Sequence, residues 1–385
     1  MKRSSIPLFA APIAAALAAL SALAGCTWET ALPSDAAAIH VERGRELLVT
    51  DDAVLASLSG NAADGPLGFR HVLARLPLRE NPETAALAWL QGWSQRLRDE
   101  GESARADALD AKVLCPWLHR TSENQCSDAC ERCASKTLRL DDAPFRLVAV
   151  ANRTDLSVMP DRAADGGEGR LVFALTDGPA DAAGAPALPF TVIVEYAQQG
   201  TAADWATRWH ALGSATQGAF PRELAGLAAA FVEQGTLAQI RTGDAVTGPL
   251  VLHEFHLEAG TIVPTGVRNT PRWDAVPEAD VRAFVTEHAS DVENGTHVLP
   301  SSWLASSSAL HASAPPYLAS VANHDALVRG TCGGCHDTAR NGFHIDPLAH
   351  GEDKLSRFLV DPAKDLDEMG RRTQFMQVTL AALER

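Results

Sequence analysis

The chain has 385 residues, a formal net charge of −15 and 46% apolar content, enough for a substantial core in two or three domains. So acidic a surface argues against nucleic acid as a partner and against electrostatic docking on anionic lipid. Lysine is confined to positions 2, 112, 136, 354 and 364. No function follows from that arginine bias.

Residues 1–25 read as a signal peptide. Met1-Lys2-Arg3 is a short basic start, and Ile6 to Leu23 an Ala-rich apolar run, flanked as an export signal is and not as a stable membrane span. Leu23-Ala24-Gly25-Cys26 follows and resembles the lipobox of bacterial lipoproteins. That resemblance implies acylation of Cys26 and a membrane partner through the lipid anchor. Thr27 stands where an Asp would signal inner-membrane retention. The expected location is therefore extracytoplasmic and lipid-anchored, at the outer membrane. A simple secretory signal with a chance cysteine is the alternative.

Residues 26–40 form a polar, Ala-rich tether, and residues 41–140 a helical region with a cysteine cluster. Pro82-Glu83-Thr84 opens an amphipathic helix, with Leu87, Leu90, Trp93 and Leu97 at three- and four-residue steps. Cys115, Cys126, Cys130 and Cys133 fall within a short span. In an oxidising compartment they read as two disulfides, with a zinc site on Cys130-x-x-Cys133 as the alternative.

Residues 141–300 read as an α+β core. Four segments alternate like strands, namely 145–152, 169–175, 190–196 and 250–257. The last two place Glu195, Glu254 and His256 on one side and bulky apolar residues on the other, as in an antiparallel sheet with one buried face. Two helices, Ala203 to Leu212 and Pro221 to Gly243, are expected between the third and fourth strands. Asn152-Arg153-Thr154-Asp155 and Asp165-Gly166-Gly167-Glu168-Gly169-Arg170 read as turns rich in local hydrogen bonds. A hydrolase using Asp155, Glu168 and Arg170 is a further possibility, to be judged by whether the three converge in one pocket. His210, near a helix end, reads as a cap or packed residue. The catalytic residues stay unassigned, since neither G-x-S-x-G nor H-E-x-x-H occurs.

Together, Phe145-Arg146-Leu147-x-Ala149-x-x-Asn152-Arg153-x-Asp155-Leu156, Gly167-Glu168-Gly169-Arg170-x-Val172-Phe173 and a late C-x-G-C-H resemble an uncharacterised family of bacterial surface lipoproteins. That resemblance covers most of the mature chain and implies no activity.

Residues 301–316, rich in Ser, Ala and Pro, read as a linker. Residues 317–385 then form a short, mostly helical region. In it, Thr331-Cys332-Gly333-Gly334-Cys335-His336 is the attachment motif for haem c. Cys332 and Cys335 would be the thioether positions and His336 the iron ligand. Phe343-His344-Ile345-Asp346-Pro347-Leu348 is similar to the cytochrome c loop whose Pro carbonyl accepts the hydrogen bond of that histidine, which implies this role for Pro347. The second axial ligand is left among Met369, Met376, His344 and His350. Other readings of the motif are a disulfide, or zinc or copper held with His344 or His350.

The expected fold is thus α+β: a helical N-terminal part, an antiparallel sheet with flanking helices, and a cytochrome c-like C-terminal region. The expected function is that of an envelope lipoprotein with one covalent haem, passing electrons to a redox partner protein or sensing redox state. The competing expectation is a non-redox surface binding lipoprotein whose cysteines are all structural.

Overall fold

A computed structural model describes residues 34–60, 65–121, 138–158, 166–180, 185–234, 236–248, 250–267, 270–273, 275–293, 297–304, 316–329, 331–332, 336, 342–349, 351–364 and 367–384. Residues 1–25, Cys26, Cys126, Cys130, Cys133, Cys335, His350 and residues 305–315 of the expected linker lie outside them.

The fold is α+β. Seven strands form one antiparallel sheet in chain order: β1 (Leu48–Val49), β2 (Phe145–Arg153), β3 (Glu168–Thr176), β4 (Ala187–Ala197), β5 (Thr236–Asp244), β6 (Val251–Glu258) and β7 (Thr261–Thr265). The four strands legible in the sequence are β2, β3, β4 and β6. The helix expected to reach Gly243 stops at Gln234, and Thr236-Leu237-Ala238-Gln239-Ile240-Arg241 pairs with β4 as strand β5. Its two polar side chains at alternate positions belong to a polar sheet face, so the segment lacks the apolar signature of a strand.

The N-terminal helices are α1 (Asp52–Ser59), α2 (Phe69–Ala74), α3 (Pro82–Asp99), α4 (Ser103–Leu109) and α5 (Cys115–Thr121). α3 begins as its sequence dictates: Asn81 Oδ1 accepts from the Thr84 amide at 2.8 Å, and Pro82 occupies the first turn. Between β4 and β5 run α6 (Ala202–Ala211), started by a Thr201–Asp204 capping box, and α7 (Phe220–Gln234). After β7 come α8 (Glu278–Glu287), α9 (His324–Arg329) and α10 (Glu368–Ala381). Among the described residues no helix is long and apolar enough to cross a membrane.

One sheet face packs on these helices. Phe69 of α2 stacks on Phe145 at 3.8 Å, Trp89 of α3 meets Phe255 edge-on, and Trp93 meets Phe190. Phe231 of α7 lies over Gly169, where a Cβ would come within 2.7 Å of its ring. Each such side chain, fully buried, contributes about 1.5–3 kcal/mol.

The C-terminal residues do not form a core of their own. Leu318, Val321 and Leu327 pack with Trp273, Phe284 and Trp303. Leu359, Met369, Met376 and Leu380 join the main core, and α10 packs on α6 and on the short helix Ser34–Ala37. The packing therefore divides the chain differently from the expected boundary at residues 301–316.

Candidate functional site

The second sheet face is polar, yet it is buried as well: Glu168, Glu195, Gln239 and Glu254 are at most 3% exposed. Register explains its composition. Arg153 pairs with Glu168, Arg170 with Glu195, and Arg241 with Glu254 across neighbouring strands, so their side chains share this face at spacings where opposite charges meet.

The contacts form two groups, one along β3 to β6 and one at the end of β2. Arg170 Nη2 donates to Glu168 Oε2 at 2.6 Å, and its Nη1 lies 3.4 Å from Glu195 Oε1. Arg241 bridges Glu195 at 3.3 Å and Glu254 at 3.2 Å, and His256 Nε2 lies 2.9 Å from Glu254 Oε1. At the β2 end, Arg153 grips Asp155 with two bonds of 2.9 and 3.1 Å. Arg371 of α10 reaches the same carboxylate at 2.5 Å and also holds Glu368, which in turn accepts from Arg372. Arg153, Arg170, Arg241, Arg371 and Arg372 thus oppose Asp155, Glu168, Glu195, Glu254 and Glu368.

The balance of forces shows in proton affinities. Burial works against the charge on Asp155, but Arg153 and Arg371 outweigh it and hold its carboxyl well below the usual range. Burial is likewise overcome at Glu368, by Arg371 and Arg372, and its carboxyl is pulled down to about 2. Arg372 is lowered to about 10, by burial and then by Arg153. Burial opposes the charge on Arg241, yet its pKa is raised, chiefly by Glu195 and next by the nearby Cys332.

Cys332 and His336, the described ends of the C-x-x-C-H segment, lie near this face. Cys332 packs with Leu250, Leu252, Val267 and Phe343. The His336 Nδ1 lies 2.6 Å from the Gly342 carbonyl. A carbonyl only accepts, so Nδ1 carries a proton and donates this bond. Gly342 has φ +80°, and a Cβ there would fall 2.3 Å from that of Leu250. Only glycine brings this carbonyl to the ring. The acceptor is therefore Gly342, in place of the expected Pro347, which lies in a turn further along the loop.

His344 stacks on His336 at 4.2 Å between ring centres and on Phe358 at 4.6 Å. Burial, and then His336, Arg372, Arg153 and Arg170, push its pKa well below the ordinary value, so it is neutral. Near-parallel rings so close leave no room between them for an iron and two metal–nitrogen bonds of about 2 Å each. In this arrangement His344 is a ring neighbour of His336 and not its axial counterpart. Met369 and Met376 are 3% and 0% exposed within the main core. Among the described residues no group of three or more His, Cys, Asp and Glu side chains could hold a metal ion, a count that takes in neither Cys335 nor His350.

The structure thus unites three stretches that the sequence left apart: Arg153–Asp155, Glu168–Arg170 and Cys332–His336. The first two are more than turns. Arg153 ends β2, Asp155 lies in a 3-10 turn, and Glu168 and Arg170 are strand residues. Their carboxylates are committed to guanidiniums, and a base needs a proton affinity near the working pH, so the convergence lacks a hydrolase's acid–base pair. Arg241, Arg371, Arg372 and Gly342 escaped the sequence reading. The Gln239-x-Arg241 alternation and the Arg371-Arg372 doublet were the available signals. His210 packs as expected, Nδ1 lying 2.8 Å from Glu46 Oε2. Cys115 is in a disulfide whose partner lies outside the described residues.

Compared with protein-family models, with curated proteins and with solved structures, the chain matches none.

Proposed function

We propose that the protein is an exported, lipid-anchored envelope protein carrying one covalent c-type haem, used for electron transfer or redox sensing. The observation that carries this reading is the His336 Nδ1 bond to the Gly342 carbonyl at 2.6 Å. Metal-binding imidazoles are oriented in this way, the far nitrogen being tied to a carbonyl so that the near one faces the metal. The donor set fits the group: thiols of Cys332 and Cys335 for the porphyrin vinyl groups and Nε2 of His336 for the iron.

Bound there, haem supplies a one-electron iron couple. The residues of the chain have separate tasks. Gly342 fixes the ring of His336. Leu250, Leu252, Val267 and Phe343 pack against Cys332. The paired charges beneath set a fixed polar field in a place closed to solvent. Attachment to the outer membrane rests on Leu23-Ala24-Gly25-Cys26 followed by Thr27, and a redox partner protein would be the electron donor or acceptor.

The test is the full chain produced with a c-type haem maturation system and run on a denaturing gel stained for haem peroxidase activity. A stained band at the mass of the chain, lost in Cys332→Ser and Cys335→Ser, is expected. An unstained chain with its six non-lipidated cysteines in three disulfides would instead make this a non-redox surface binding protein.

A further inference from the structure

Away from the haem motif, a cleft of about 440 Å³ opens where α1, the start of β2 and the loop after His344 meet. We infer that this cleft binds a small organic carboxylate with a compact apolar body. The volume is in the range of small-molecule pockets, which are mostly apolar with a few placed polar groups.

Ala56, Leu147, Val148 and Pro347 form the apolar part of the wall. The register of β2 against β3 slips between Leu147 and Ala149. Such a bulge gives two consecutive residues to one strand position, and both Leu147 and Val148 line the cleft.

The polar part is Arg146 and Lys354, with Asp52 and Ser59 at the α1 side. Lys354 is 3% exposed, and its Nζ donates to Asp52 Oδ1 and to the Thr50 carbonyl. An ammonium has three protons to donate, so one remains. Arg146 makes one hydrogen bond, Nη1 to the Ala185 carbonyl at 3.3 Å, and no ion pair among the described residues. The guanidiniums on the charged sheet face are each matched by carboxylates, whereas this one has none among the described residues. Among the described lining residues two cations face one acid, on a chain of net charge −15, so an anion is drawn here and repelled by most other surfaces. A carboxylate meets a guanidinium with two parallel bonds, and the hydrocarbon body beyond it finds Leu147, Val148 and Pro347.

This site needs no haem, and its test is separate from the stain. The probe is 1-naphthoate, titrated into the full chain by calorimetry, with 1-naphthalenemethanol as its uncharged counterpart. The expectation is saturable one-site binding of the acid and binding of the alcohol about tenfold weaker or worse, the difference of one charge-assisted contact. Arg146→Gln should lose about tenfold for the acid and little for the alcohol. Ala56→Phe, at an exposed position of α1, should fill the cleft and abolish binding while the urea midpoint holds. No saturable binding, equal binding of acid and alcohol, or an unaffected Arg146→Gln would each overturn the inference.

Discussion

The two faces of the sheet are buried alike and built on opposite principles. On one, Phe145, Phe173 and Phe190 meet tryptophans and phenylalanines from α2 and α3, and any apolar side chain of the right volume serves. On the other, guanidiniums and carboxylates are removed from water together, a costly state unless every charge has its partner. The difference teaches what each face tolerates. The apolar face loses stability in proportion to volume removed, whereas the charged face fails when one member is taken away and its opposite is left behind.

Four experiments can break or sharpen that contrast. Asp155→Ala leaves Arg153 and Arg371 facing each other, and we expect a loss of about 3–5 kcal/mol in urea unfolding. A loss below about 1 kcal/mol, the range of exposed ion pairs, would mean that water reaches this face. Leu171→Ala, at a fully buried position of β3, should cost about 2–5 kcal/mol by leaving a cavity. Leu171→Met, which conserves volume, should cost under about 1.5 kcal/mol.

The third experiment is a pH titration of stability. His344 prefers its neutral form when folded, so folded and unfolded chains bind equally few protons there above about pH 6.5, the unfolded value. Below it the unfolded chain takes a proton that the fold refuses. Stability should then fall with pH by up to about 1.4 kcal/mol per unit. Asp155 and Glu368 are depressed in the fold, so their contribution is complete above about pH 4.5 and is lost as pH falls from there towards the folded values. His344→Gln should flatten the upper window and leave the lower one. An unchanged slope between about pH 6.5 and 5 would contradict the burial of that ring.

The smallest effect is expected at Arg70–Asp141, whose side chains are 47% and 57% exposed. Asp141→Asn should change the urea midpoint by no more than about 1 kcal/mol equivalent.

This contrast also sets what the sequence could reveal. The α3 stripe of Leu87, Leu90, Trp93 and Leu97, and the alternation around Glu195 and Glu254, are period signals, and both were legible because neighbours in sequence share one environment. The same alternation predicted an open polar face, since a polar stripe ordinarily meets water. Its cover comes from α10, more than a hundred residues beyond β6, and pairing between Asp155 and Arg371 leaves no local pattern. Gly342 was hidden for the same reason: its requirement comes from Leu250, distant in the chain and adjacent in space. The C-x-x-C-H spacing was legible, while the ring of its histidine is set by a carbonyl that spacing did not single out.

The Arg371–Asp155 contact joins positions 216 residues apart. Synthesis runs from the N-terminus, so β2 to β6 and the C-x-x-C-H segment all emerge before the helix that seals the charged face. Until then Arg153 and Asp155 have only each other, without Arg371. Whatever must be placed between the sheet and its cover has that interval to arrive, and α10 is the latch that ends it.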